Sequence, residues 1–123
     1  MWVLRSQGAV VHLARLDPGA TSVVDVHVME PVTAQDAELA VDGTGRPLVV
    51  TVGVGVQLHA CRDDACSRVR SGLVSTTGPR WGLVDRELDP FLVIDGHGRP
   101  AVLVERPFAE AAVVQCREPR CGL

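Results

Sequence analysis

Leu39-Ala-Val-Asp42-Gly-Thr-Gly-Arg-Pro47 is the stretch that decides the fold, because it returns 53 residues later as Leu92-Val-Ile-Asp95-Gly-His-Gly-Arg-Pro100. In each copy a short apolar run predicts a strand. The Asp-Gly-x-Gly segment predicts a hairpin turn, since glycine reaches positive φ and aspartate hydrogen-bonds its own turn. The proline falls at the start of the next strand, where a missing N–H is tolerated. The predicted turn-forming residues are Asp42, Gly43, Gly45, Asp95, Gly96 and Gly98.

A pair of cysteines follows each turn. Cys61 and Cys66 return 55 residues later as Cys116 and Cys121. Each pair flanks a four-residue loop between two predicted strands, which is a separation compatible with a disulfide. We therefore predict the disulfides Cys61–Cys66 and Cys116–Cys121. On the loop-entropy model each would stabilise the fold by about 2 kcal/mol.

A zinc site is the alternative for these cysteines, either with all four thiolates or with His59 joining Cys61 and Cys66. Zinc prefers cysteine pairs in tight knuckles, and Val114 stands where the second pair would need a histidine. Free structural thiols are the remaining alternative. The spacing favours disulfides, and disulfides indicate an oxidising compartment.

A third copy of the unit, without cysteines, opens the chain. Leu16 and Thr21 stand where Cys61 and Cys66 stand 45 residues later, with the same four-residue spacer between them. The loss of both cysteines together is expected if such cysteines pair. Spacings between 45 and 55 residues are typical of the blades of β-propellers.

The strand pattern predicts an all-β fold of tandem antiparallel four-stranded repeats, about two and a half blades of a β-propeller. A partial, cysteine-free unit covers residues 1–35, a complete unit 36–88 and a partial unit 89–123. Strands are expected at Val56 to Cys61 and at Val69 to Ser75. Phe108 to Gln115 has helical propensity, but its repeat partner, Gly-Val-Gly-Val, favours a strand. A β-sandwich of the same ten strands is the alternative architecture.

The turn followed by Cys-x4-Cys resembles repeats in bacterial secreted or surface propellers of the broad sialidase-like type. The resemblance covers residues 36–67 and 89–121 well and residues 8–35 poorly. It implies a propeller scaffold and does not imply catalysis. Retaining sialidases use a tyrosine nucleophile, the chain has no tyrosine, and the arginine cluster of that family cannot be located in it.

Composition argues against several partners and cofactors. A net charge of −3 and only four aromatic residues give little to attract or stack nucleic acid. Charged residues or glycine interrupt every apolar run, so no membrane span is expected. We predict no cofactor and no metal, because each Asp-Gly-x-Gly turn offers a single carboxylate and calcium needs six or more oxygens.

The sequence contains two opposing signals about localisation. Paired cysteines indicate an extracellular or cell-surface protein, whereas the first residues lack the pattern of a signal peptide. A cytoplasmic protein is therefore the alternative, unless Met1 is not the natural start of the chain.

Two candidate ligand-binding residues, Arg80 and Trp81, occur in the predicted loop Gly-Pro-Arg-Trp-Gly between units. An indole in a loop can stack on a sugar or a peptide, although packing between blades is the simpler interpretation. Carboxylates at 85–89 offer acid and base groups without a predictable partner, so a solvated linker is favoured there.

We therefore expect a non-enzymatic propeller segment that serves as an interaction or ligand-binding module. Its partners would be further blades, or other copies joined through open blade faces. The alternatives are a fragment of a larger sialidase-like or other glycan-processing enzyme whose active site lies outside this chain, and a decayed gene remnant.

Overall fold

A computed structural model of the chain describes residues 1–7, 10–17, 19, 24–29, 36–52, 56–75, 90–104 and 112–123. Over these residues the chain is all-β and every strand pairing is antiparallel, which confirms the all-β, antiparallel part of the predicted fold. The strands are β1 (Trp2–Gln7), β2 (Val10–Arg15), β3 (Val24–Met29), β4 (Asp36–Val41), β5 (Pro47–Val52), β6 (Val56–Cys61), β7 (Val69–Ser75), β8 (Pro90–Ile94), β9 (Pro100–Val104) and β10 (Ala112–Gln115), and a 3₁₀ turn spans Pro119–Gly122.

The strands form three sheets, each a meander in chain order. Sheet I contains β1 to β3, sheet II contains β4 to β7, and sheet III contains β8 to β10. Two strands of sheet II, Val56–Cys61 and Val69–Ser75, have the predicted bounds. The described part of 108–115 is strand β10 and not a helix, because it continues the meander beside β9.

Sheet II lies between the other two sheets because both of its faces are apolar. Leu48 and Val50 of β5 contribute to one hydrophobic cluster, and Val49 between them contributes to another. This alternation is the period-two pattern of a strand that is buried on both sides. We call the face of a sheet that points toward the next sheet in chain order its forward face, and the opposite face its backward face.

The two interfaces between sheets follow one rule, in which a forward face packs on a backward face. The forward face of sheet II contributes Leu48, Val50, Val56, Leu58 and Ala60, and sheet III covers them with Leu92 and Val102. Complete burial of one leucine side chain contributes roughly 2 kcal/mol. The forward face of sheet I packs on the backward face of sheet II through Trp2, Leu4, Val11, Leu13, Ala37, Leu39, Val49, Cys61, Cys66 and Val69.

The first strand of sheet II approaches strands of both neighbouring sheets closely. β4 contacts β1 of sheet I and β8 of sheet III. The sheets are thus closest along one edge, and their later strands lie farther from that edge.

Candidate functional site

One end of the three sheets carries all the loops that the structure describes in full. Since neighbouring strands are antiparallel, the β4–β5 turn, the β6–β7 loop, the β8–β9 turn and the segment after β10 all lie at the same end. We call this the turn end, made of residues 42–46, 61–69, 95–99 and 116–123. It contains both predicted Asp-Gly-x-Gly segments and both cysteine pairs.

The turn at 42–46 is organised by the carboxylate of Asp42. Its Oδ1 accepts hydrogen bonds from the main-chain N–H of Thr44 at 2.8 Å and of Arg46 at 3.1 Å, and from the Thr44 hydroxyl. The main chain closes the hairpin, with Gly45 N–H donating to the Asp42 carbonyl at 2.9 Å. The second glycine of the motif, Gly45, takes the left-handed conformation at φ +84°, as expected for a turn that ends in a bulge.

The turn at 95–99 has the same main-chain geometry. Asp95 Oδ1 accepts from the N–H of His97 at 2.8 Å and of Arg99 at 2.9 Å. Gly98 is the left-handed residue at φ +74°, and its N–H donates to the Asp95 carbonyl at 3.0 Å. The hydrogen bonds to Arg99 and His97 outweigh desolvation and lower the pKa of Asp95 to about 2.

The two turns differ in what binds the second carboxylate oxygen. Asp95 Oδ2 accepts from Nε of its own turn residue Arg99 at 2.7 Å. Asp42 Oδ2 lies instead 3.1 Å from Nε of Arg120, in the 3₁₀ turn that follows sheet III. Arg46, the counterpart of Arg99, turns away and donates to Asp64 in the cysteine loop at 2.7 Å. The Asp42 turn is therefore tied to the next unit.

The ion pair between Arg120 and Asp42 is largely withdrawn from water. The two side chains are 15% and 6% exposed, and Nε and Nη2 of Arg120 are buried without a hydrogen bond in the described part of the chain. Burial lowers the pKa of Arg120, against the attraction of Asp42. Burial raises the pKa of Asp42, but the hydrogen bonds from Thr44 and Arg46 prevail and the net shift is downward. The pair stays ionised at neutral pH because a guanidinium pKa begins far above 7.

Sheet I also binds the Asp42 turn, on the side opposite Arg120. The indole Nε1 of Trp2 donates to the Gly45 carbonyl at 3.2 Å. The Arg15 guanidinium lies 6.0 Å from the centre of the Trp2 ring, and Arg15 also pairs with Asp17 at 2.9 Å. The Asp42 turn thus contacts both flanking sheets.

Both predicted cysteine pairs lie within disulfide distance. The Cα atoms are 4.8 Å apart for Cys61–Cys66 and 5.0 Å apart for Cys116–Cys121. The second cysteine of each pair has a left-handed backbone, at φ 55° for Cys66 and 56° for Cys121. The two loops share this left-handed cysteine but differ before it, because Arg120 is left-handed at φ 54° and its counterpart Ala65 is not.

Asp63 stabilises the first cysteine loop from within. Its carboxylate accepts from Ser67 N–H at 2.8 Å, from the Ser67 hydroxyl at 2.9 Å and from Arg68 N–H at 3.1 Å. The N–H of Ser67 has the largest effect among these, and together they lower the pKa of Asp63 to about 2. The hydrogen bonds to the Asp63 carboxylate therefore stabilise this loop in addition to its disulfide.

His59 is buried, and the nearby Cys61 and Cys66 are at disulfide distance from each other. Its Nε2 lies 2.9 Å from the Thr51 hydroxyl and its Nδ1 lies 2.7 Å from the Ser71 hydroxyl. Cys61 and Cys66 lie at disulfide distance from each other, and His59 is bound to Thr51 and Ser71, which supports the predicted disulfide for this pair. Within the described ranges no group of three or more histidine, cysteine or acidic side chains is arranged to hold a metal ion.

Two residues that bind across the junctions between units, Trp2 and Arg120, were not predicted from the sequence to have this role. Trp2 opens the chain outside the aligned part of the first unit. Arg120 occupies the position where the other cysteine loop has Ala65. The two loops, Arg62-Asp-Asp-Ala65 and Arg117-Glu-Pro-Arg120, differ at three of four positions, so the sequence carried no signal that singled out Arg120.

The predicted ligand-binding residues Arg80 and Trp81 lie outside the described residues, as do the carboxylates at 85–89. The turn end is therefore the candidate site that the described residues contain. In it, the carboxylates of Asp42, Asp63 and Asp95 accept hydrogen bonds from groups within the chain. The one helical element that the structure describes, Pro119–Gly122, is far too short to cross a membrane.

Comparisons of the chain with protein-family models, with curated proteins and with solved structures found no match.

Proposed function

We propose that this chain is a repeat segment of a β-propeller that acts as a non-enzymatic interaction or ligand-binding module. The observation that carries the proposal is the regular packing of three sequence-related meanders, forward face on backward face, with β4 nearest to both neighbours. Successive blades of a propeller pack face to face around an axis. In a two-layer sandwich, by contrast, no sheet is buried on both faces.

The proposed module works as a rigid scaffold. Disulfides, capped turns and the pair between Arg120 and Asp42 fix the loops at the turn end. Loops on a rigid scaffold are where such proteins bind their ligands. The two disulfides fit a protein exported to an oxidising compartment, so we place the module outside the cell or at its surface.

Two measurements test this proposal. A crystal structure of the assembled protein should show the sheets arranged radially, with β4 and β8 next to the axis. Aligned flat layers would instead support the sandwich.

A screen on a glycan array, run beside turnover assays with aryl sialosides and other aryl glycosides, tests the function. We expect binding without turnover. Reduced binding in Trp81→Ala would assign the ligand to the loop between units, and unchanged binding would favour the turn end. Turnover that purifies with the chain would support an enzyme instead.

A further inference from the structure

The outer edge of strand β10 carries hydrogen-bonding groups that no described strand uses. β10 is an edge strand of sheet III and pairs only with β9 within the described ranges. Directly after β10, the N–H of Cys116 donates to the Pro100 carbonyl of β9 at 2.9 Å. Successive N–H groups of a strand point alternately to its two sides. The N–H of Val114 therefore also points toward β9, and those of Val113 and Gln115 point outward.

The repeat shows which kind of element fits this edge. In sheet II the equivalent strand, β6, pairs on its outer side with the antiparallel strand β7. The N–H of Arg62 donates to the Arg68 carbonyl at 2.8 Å where this pairing begins. By the same alternation, Leu58 and Ala60 direct their N–H groups toward β7. Their equivalents 55 residues later are the two outward residues of β10, for which the described chain supplies no such strand.

The segment that follows β10 is attached to sheet II instead of turning back along β10. In sheet II the chain returns beside β6 directly after the cysteine loop. At the equivalent point after β10, the N–H of Leu123 donates to the Arg120 carbonyl at 3.1 Å, and the Leu123 carbonyl accepts from the Arg62 side chain of sheet II. The Leu123 side chain lies against Gly72 of β7, where a Cβ atom would be 3.0 Å from it. These contacts draw the segment away from the edge of β10.

β10 also lacks the residues that usually keep other strands from pairing with an edge. Charged side chains and proline on an edge strand discourage such pairing. Of the six edge strands that the structure describes, five contain one or the other: Arg5 in β1, Asp25 in β3, Glu38 in β4, Arg70 in β7 and Pro90 in β8. β10, with the sequence Ala-Val-Val-Gln, contains neither. Its edge is therefore the one whose sequence permits a further strand to pair.

We propose that the outer edge of β10 binds an extended segment of a partner protein, which adds to sheet III as a fourth strand antiparallel to β10. Main-chain hydrogen bonds to Val113 and Gln115 supply the affinity, as in other cases of strand addition to a sheet edge. This inference rests on the proposed function only in that the chain is an interaction module, and it names the class of partner. The edge is the same whether the three sheets form a propeller or a sandwich.

The side chains beside this edge define the segment that fits it. Val113 is 66% exposed and pairs with Leu103, which in turn pairs with the exposed Phe91. An apolar residue of the partner opposite Val113 would extend this apolar row. Val114 is half-buried on the other face and also suits an apolar residue, whereas the exposed Gln115 suits a polar one. Read from its N-terminus, the antiparallel segment is therefore polar, apolar, apolar.

Fluorescence anisotropy of a labelled peptide tests the proposal on the intact 123-residue chain. The probe is a synthetic peptide of residues 67–75, which contains the sequence of β7, with the change Gly72→Val. In the register of sheet II this valine lies opposite Val113. It also disfavours exchange with β7 itself, where a Cβ at position 72 would meet Leu123. We expect saturable binding, about 2- to 5-fold tighter than that of the same peptide with glycine, because the cross-strand pair adds contact.

Gln115→Pro and Gln115→Ala are the matched pair of chain variants. Proline removes the outward N–H and leaves the hydrogen bonds to β9 in place, so the chain should fold while the peptide binds at least ~10-fold more weakly. Alanine removes only the side chain and keeps the N–H, so the peptide should bind as it does to the parent. Circular dichroism on both variants checks that each retains the β-sheet signal of the parent chain.

Amide hydrogen exchange locates the bound peptide on the chain. In the free chain the outward N–H groups of Val113 and Gln115 should exchange rapidly, whereas the N–H of Val114 is protected by β9. With the peptide bound, the two outward groups should exchange at least ~10-fold more slowly, and Val114 should change little. Protection that appears elsewhere and not at these two groups would overturn the proposal.

Three further results would overturn the proposal. Absence of peptide binding would show that the edge does not accept a strand. Binding that Gln115→Pro leaves unchanged and Phe91→Glu abolishes would place the peptide on the exposed apolar face of sheet III. A parent chain that is a dimer in light scattering, and a monomer as Gln115→Pro, would make a second copy the strand that pairs with β10. Each of these failures leaves the glycan-array and crystal-structure tests of the proposed function unaffected.

Discussion

The Asp42 turn and the Asp95 turn are made by the same motif but have different neighbours. In both, one carboxylate oxygen accepts two main-chain N–H groups, and the second glycine is left-handed. The Asp42 turn lies between two sheets, where Arg120 and Trp2 bind it. At the Asp95 turn the carboxylate is bound by its own Arg99. The motif thus specifies the turn, and the position in the stack decides whether the turn also joins units.

The largest expected effect separates these two aspartates. Asp42→Ala should lower the free energy of unfolding by about 3 to 4 kcal/mol, because it removes the turn hydrogen bonds and leaves the buried Arg120 without its counter-charge. Asp95→Ala should cost clearly less, since Arg99 can turn into water. Urea unfolding of both variants measures the difference, and equal losses would show that the junction adds nothing to the turn.

Arg120→Met tests the cause of that difference. A methionine fills much of the same space and leaves the Asp42 carboxylate with its hydrogen bonds from Thr44 and Arg46, so Arg120→Met should cost less than Asp42→Ala, which leaves the buried guanidinium without its counter-charge. In the Arg120→Met background, Asp42→Ala should cost no more than Asp95→Ala does. A cost that stays high there would assign the effect of Asp42 to the turn alone.

The two disulfides give the next largest contrast. Replacing Cys116 and Cys121 by alanine should cost about 2 kcal/mol, the loop-entropy value for so short a loop. Replacing Cys61 and Cys66 should cost about 3 kcal/mol, because these side chains are buried in the core between sheets I and II and their loss also leaves a cavity. Thermal unfolding of the two double variants checks the order. A larger loss for the half-buried Cys116–Cys121 pair would contradict it.

The two glycines of one turn provide a smaller, local contrast. Gly45→Ala should cost about 1 kcal/mol, because Gly45 has a left-handed backbone that alanine adopts with strain. Gly43→Ala should be nearly neutral, since Gly43 has no positive φ and a methyl group there meets nothing within 4 Å. Chemical denaturation of the pair tests the assignment, which equal effects would refute.

The smallest expected effect is on acid stability. The pKa of Asp63 and of Asp95 is about 2 in the folded chain, below the ordinary 3.8. A carboxyl whose pKa falls on folding stabilises above its unfolded pKa, and this stabilisation is lost as the pH falls from about 4 toward 2. Asp95→Asn should therefore flatten the fall in urea midpoint over that range. An unchanged slope would mean that the folded pKa of Asp95 is not depressed.

Much of the fold could be predicted because its signals are local. The hairpin turns depend on Asp42, Asp95 and the glycines beside them, all within a few residues. The helix considered over 108–115 was corrected by the repeat alignment and not by propensity. The cysteine pairing followed from a spacing of five residues that a short strand-to-strand loop can bridge. The roles of Arg80 and Trp81 stay predictions, since both residues lie outside the described ranges.

The sequence alone determined the repeat, the turns and the cysteine pairs, because each is set by residues close together in the chain. Only the tertiary structure decided that Arg120 binds Asp42 rather than water, and that Trp2 reaches Gly45. The same holds for the sheet faces. Leu48 and Phe91 are both large apolar residues on forward faces, yet one is fully buried and the other is exposed. The physical reason is that burial depends on which sheet lies opposite, and no pattern within a single unit specifies its neighbour.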